Sequence, residues 1–168
     1  GGLMIRSILY ATDLGLYAPY VLQHALTLAR VHHADLYVLH VVEPLGLFAE
    51  SLLQTYLDAD SLSDLHQHGL ERVMASIEQR VFEGFCDELQ ESAEDALPIR
   101  AVQVQLGDPP QVILQLAEDL AVELIVIGSH SQSLQPGAAL GRTCLRLLQQ
   151  ARVPVYLVPI LPEGGESR

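Results

Sequence analysis

From Leu124 to Val158 the chain carries a strand, a glycine turn, a helix and a second strand in immediate succession, and no other stretch constrains its fold as much. Leu124-Ile125-Val126-Ile127 is an uninterrupted apolar run ending at Gly128, the pattern of a strand buried on both faces. A loop of small residues follows, Gly141 opens a helix, and Pro154-Val155-Tyr156-Leu157-Val158 closes the unit. Glycines at the strand end and at the helix start let backbone N–H groups approach an anion. The helix N-terminus adds its partial positive charge. Glycines serve tight turns equally well, so the unit alone does not establish a ligand.

The rest of the chain repeats the alternation. Ile5 to Ala11 reads as a strand apolar on both faces, ending at Thr12-Asp13, and Tyr20, Leu22, Ala25, Leu26, Leu28 and Ala29 form a helical stripe to about His32. Leu36 to Val42 is a second strand, with Asp35 suited to the turn before it. Residues 43–64 interrupt the pattern at Pro44 and Gly46 and read as an insertion with a short apolar stripe. A long amphipathic helix spans Leu65 to Leu89, and Ile99 to Leu106 is a third strand. Gly107-Asp108-Pro109 turns that strand into a helix carrying Val112, Ile113, Leu116, Ala117 and Leu120, with Pro110 near its first position. The order β-α-β-α-β-α-β-α-β predicts an α/β fold, an open parallel sheet with helices on both faces. In such sheets ligands bind beyond the carboxyl ends of the strands, where strand order reverses. If the first and fourth strands flank that reversal, Asp13 and Gly128 face each other across it.

Residues 4–160 are expected to form one domain, Gly1-Gly2-Leu3 reads as an expression scar, and the tail 161–168 is polar. The net charge of −12 disfavours nucleic acid and anionic membranes as partners. There is no lysine, which removes the P-loop and kinase lysines and any Schiff-base chemistry. Cys86 and Cys144 are too far apart in sequence for a metal knuckle and read as buried thiols. No apolar run reaches transmembrane length, no signal peptide leads the chain, and a cytoplasmic location is expected. His66 and His68, two apart on a helix, point to different faces, so no metal site is expected there. Neither a Gly-x-Ser-x-Gly elbow nor another nucleophile–base arrangement is visible, so no enzyme activity is expected.

Taken together, Ile8-Leu9-Tyr10-Ala11-Thr12-Asp13, Leu39-His40-Val41-Val42, Gly107-Asp108-Pro109, Leu124 to His130 and Val153 to Val158 resemble the universal stress protein family over nearly the whole chain. The resemblance implies a five-stranded sheet of the adenine nucleotide alpha-hydrolase-like (Rossmann-like) type, strand order 3-2-1-4-5, and a homodimer. One branch of that family binds ATP through Gly-x2-Gly-x9-Gly-Ser/Thr, and another lacks parts of the motif and binds nucleotide poorly or not at all. Gly128 and Gly141 keep the family spacing, but Ser131 replaces the middle glycine and Arg142 the final Ser/Thr. Asp13-Leu14-Gly15 likewise departs from the Asp-Gly-Ser often found after the first strand. By this resemblance the candidate nucleotide contacts are Ala11, Thr12, Asp13, Val41, Gly128, Ser129, His130, Ser131, Gly141, Arg142 and Thr143.

The substitutions cut both ways. Ser131 costs about 1–2 kcal/mol if its backbone must be left-handed. Arg142 loses a hydroxyl contact yet offers a guanidinium fork to phosphate. Blander roles also stand: Asp13 as a helix cap or turn residue, the two glycines as turn residues, His40 as a hydrogen-bonded core histidine. The expected function is non-enzymatic stress-response binding or regulation with weak or absent ATP or AMP binding and no required cofactor. The alternatives are an ATP-binding switch acting on dimer or partner contacts, and a modulator of a membrane transporter. The expected homodimer joins through the last strand, whose apolar edge calls for cover, and an unknown protein partner is left open.

Overall fold

The computed structural model describes residues 4–14, 17–43, 79–80, 83–84, 98–129 and 141–160. Their elements are β1 (Ser7–Thr12), α1 (Ala18–His32), β2 (Asp35–Val42), β3 (Ile99–Leu106), α2 (Pro109–Asp119), β4 (Leu124–Gly128), α3 (Arg142–Gln150) and β5 (Val155–Val158). The five strands form one sheet in the order β3-β2-β1-β4-β5, and every neighbouring pair is parallel. The insertion, most of the long helix, Cys86 and the polar tail lie outside the described residues, although residues 79, 80, 83 and 84 are helical.

The double-sided apolarity of β1 and β4 is what allows helices on both faces. Ile8, Tyr10 and Val126 point to one side, where they pack with Val21, Leu22, Ala25 and Leu26 of α1. Leu9, Ala11, Ile125 and Ile127 point to the other, against Ile113, Leu116 and Ala117 of α2 and Cys144 and Leu147 of α3. Alternate side chains of one strand therefore serve two separate cores. At the end of α1, His33 takes a left-handed φ of 54°, and the N–H groups of His33 and Ala34 donate to the carbonyls of Arg30 and Ala29. This stop sends the chain straight into β2. Asp35, expected in the turn, is already the first residue of that strand, because its N–H donates to the Arg6 carbonyl beside β1.

Two expectations change in detail. Asp13 does not cap α1, whose N-cap is Tyr17 and which starts on Ala18-Pro19 with no side-chain capping bond. The last strand is a sheet edge, as expected, but its residues are not equivalent. Val158 is fully buried within the α1-side core, whereas Tyr156 is exposed, its hydroxyl 3.2 Å from His24 Nδ1. Tyr156 alone of that pair reports on the edge.

Candidate functional site

Strand order reverses between β1 and β4, since the chain runs outward from β1 through β2 to β3 and returns to β4 on the other side. At the carboxyl ends of these strands lies a crevice of about 350 Å³, within the range of small-molecule sites. β1 contributes Ala11 and Thr12, followed by Asp13; β2 contributes His40 and Val41, followed by Glu43. β4 contributes Ile127 and Gly128, followed by Ser129, and the start of α3 contributes Gly141, Arg142 and Thr143. Of the eleven residues singled out in the sequence, His130 and Ser131 lie outside the described residues, and the rest all line this crevice. Sequence reasoning missed Tyr17, Pro109, Ile113, Cys144 and Ile160, which complete its apolar walls. Their signal was faint: each reads as an ordinary core or turn residue until the helices are docked.

The β1 side is built by short-range bonds. Thr12 Oγ1 accepts from the Leu14 N–H at 3.0 Å, bending the chain sharply away, and Leu14 takes a left-handed φ of 58°. The Thr12 carbonyl lies 2.9 Å from His40 Nδ1. A carbonyl only accepts, so Nδ1 carries the proton in this bond. His40 is thus a hydrogen-bonded, half-buried histidine that also faces the crevice. Below it, the Tyr10 hydroxyl donates to the Ala18 carbonyl at 3.0 Å, and burial pushes its pKa well above the usual phenol range. Burial also pushes the Cys144 thiol up, which keeps it protonated and unreactive.

The Gly128 turn is closed on itself. Ser129 donates its N–H to the Val158 carbonyl at 2.9 Å, and its own carbonyl accepts from Gly141 at 3.1 Å. Its Oγ accepts from the Ile160 N–H at 2.9 Å. A Cβ built at Gly128 would stand 2.8 Å from Ile160 Cδ1 and 3.2 Å from Val21 Cγ2. A side chain here would have to displace the end of Ile160 and press on Val21, so glycine is favoured by packing on the α1 side of the sheet. Gly141, the N-cap of α3, has φ −62° and ψ 154°, a conformation open to any residue.

The mouth near α3 is acidic. Arg142, the one arginine among the described lining residues, places Nη2 2.9 Å from Asp108 Oδ1 at the start of α2. That contact, with Glu43 as a further contributor, raises the guanidinium pKa and holds it charged. Asp13 and Glu43 line the same opening.

The sequence profile of the universal stress protein family matches residues 4–159. The chain belongs to that family. Universal stress protein MJ0577 of Methanocaldococcus jannaschii is 22% identical over 158 residues, covering 92% of this chain and 95% of its own. A solved structure of MJ0577 superposes with a TM-score of 0.68 at 20% identity, over 96% of this chain and 100% of the other. The universal stress protein UspA of Lactobacillus plantarum gives 0.63 at 20% identity, over 94% and 99%. A universal stress protein solved in complex with cAMP gives 0.55 at 14% identity, over 94% and 98%. At these identities the structural likeness speaks to the fold alone. In this universal stress protein the crevice therefore has to be judged by its own residues.

Proposed function

We propose that this universal stress protein works in the cytoplasm by binding rather than catalysis, and that its crevice takes adenine nucleotides weakly or not at all. The observation that carries this reading is Arg142. It stands where the family motif has a small hydroxyl residue, and its guanidinium is engaged by Asp108 at 2.9 Å. A polyphosphate arriving at α3 meets that carboxylate together with Asp13 and Glu43. The same crevice keeps features suited to a base or ribose: the Asp13 carboxylate and the His40 ring as polar contacts, Val41 and Ala11 as apolar ones. A related protein solved with cAMP makes such a ligand class a reasonable one to test.

Calorimetric titration with ATP, AMP, cAMP and GTP side by side tests the reading. The expected Kd for ATP is no tighter than tens of micromolar, about −6 kcal/mol. Nanomolar ATP binding, or ATP carried through purification, would overturn it.

A switch reading has one observation in its favour. Ser129 bonds both to Gly141 at the head of α3 and to Val158 and Ile160 at the end of the edge strand. A ligand that shifts Ser129 or Gly141 would therefore act on the strand proposed to join two copies of the chain. Sedimentation with and without ATP tests this: no change in dimer affinity removes the switch. Tyr156→Lys, at the exposed edge, is expected to favour the monomer.

A further inference from the structure

Two helices begin at the crevice, and their first turns offer an anion very different things. In α3 the N–H groups of Arg142, Thr143 and Cys144 have no partner within the helix. In α2 the first two positions are Pro109 and Pro110, which carry no N–H at all. Asp108, the N-cap, makes no capping bond to its own helix. Its Oδ1 reaches across to Arg142 Nη2 instead, at 2.9 Å. With prolines at the first two positions, Gln111 is the first residue of α2 with an N–H to offer a cap, and the Asp108 carboxylate is turned to the neighbouring helix instead. Arg142 lines the crevice, whereas Asp108 stands just outside the lining residues.

From this juxtaposition we infer that Asp108 is a specificity-determining residue, which sets the crevice against phosphorylated ligands by holding Arg142, the one guanidinium among the described lining residues. The inference rests on the weak-binding reading above and extends it from affinity to ligand class. A phosphate group reaching Arg142 must share or displace the carboxylate, and brings its own negative charge toward it. An uncharged nucleoside such as adenosine meets neither penalty. The side chains of Arg142 and Asp108 are 59% and 34% exposed, so water and salt weaken their interaction and the discrimination is several-fold rather than absolute.

The test is calorimetric titration of ATP and of adenosine into the wild type, Asp108→Asn, Arg142→Gln and the double variant, at low and at physiological salt. Asparagine caps helices about as well as aspartate, and thermal melting verifies that each variant is folded. Asp108→Asn is expected to tighten ATP about five- to tenfold, more at low salt, and to change adenosine by less than about twofold. In the Arg142→Gln background the gain for ATP should shrink to about twofold or less. Unchanged or weaker ATP binding by Asp108→Asn overturns the inference, as does an equal gain for adenosine or a full gain without Arg142. A folded Asp108→Asn protein that binds no ATP at millimolar concentration overturns it too. Nanomolar ATP binding by the wild type is a separate failure, of the weak-binding reading itself.

Discussion

The two glycine turns at the crevice look alike in sequence and are built for opposite purposes. The Gly128-Ser129 turn is sealed: its N–H, carbonyl and hydroxyl are bound by Val158, Gly141 and Ile160, and the space beside Gly128 is filled by Ile160 and Val21. The turn from Gly107 to Pro109 also bonds its backbone, the Gly107 N–H donating to the Val42 carbonyl at 2.9 Å, but it leaves its acidic side chain to the mouth. Gly107 is needed for its φ of 155° and because a Cβ would stand 2.6 Å from Val112 Cγ2. Beyond it, Asp108 is left to pair with Arg142 rather than with its own helix. One turn spends its polar groups on the sheet, and the other presents a carboxylate to the start of α3. A glycine at the end of a strand is therefore not by itself a sign of ligand contact, even inside a crevice.

Substitutions should separate the two turns by size of effect. Val158→Glu on the sealed side buries a charge at a position with no exposure and no partner charge in its core. It should cost about 4 kcal/mol or more, so the chain is expected not to fold, as read by circular dichroism and solubility. A folded Val158→Glu protein would mean that this turn is far looser than its bonds suggest. Gly128→Val should cost about 2 kcal/mol in urea unfolding without any ligand. Adding Ile160→Ala should recover part of that loss by vacating the space. Loss of nucleotide binding by Gly128→Val with stability unchanged would instead assign the glycine to ligand approach. At the mouth, Asp108→Asn and Arg142→Gln should each move stability by less than about 0.5 kcal/mol, because exposed ion pairs contribute little. A large loss in either would show the mouth to be structural after all.

Much of the fold was legible because it rests on local periodicity. The apolar runs from Ile5 to Ala11 and from Leu124 to Ile127 demand burial on both faces, and the stripe from Tyr20 to Ala29 demands a helix, although β1 begins only at Ser7 and Tyr20 is exposed while Val21 is buried. Chain order then leaves a parallel sheet as the consistent arrangement. The crevice followed from the same logic, with Ala11, Thr12, Asp13 and Gly128 placed by the strand-end rule. What failed was the division of labour among those residues. Asp13 read as a helix cap or a turn residue; it does not cap α1, whose N-cap is Tyr17, and it stands between Thr12 and Leu14 where the chain bends. Val158 and Tyr156, two apart in one strand, both face α1, yet Val158 is buried beneath it while Tyr156 stays exposed beside His24 of the same helix.

The sequence by itself determined the five strands, the three described helices, their order and the end of the sheet at which a ligand could bind, since each depends on side chains close together in the chain. Only the tertiary structure decided which neighbours those residues acquire. Asp108 and Arg142 are separated by 34 positions and meet because α2 and α3 cover the same face of the sheet. Ser129 and Ile160, 31 apart, meet because β5 lies beside β4. Contacts of that kind are set by how whole elements dock, and no local pattern of apolar and polar residues encodes them.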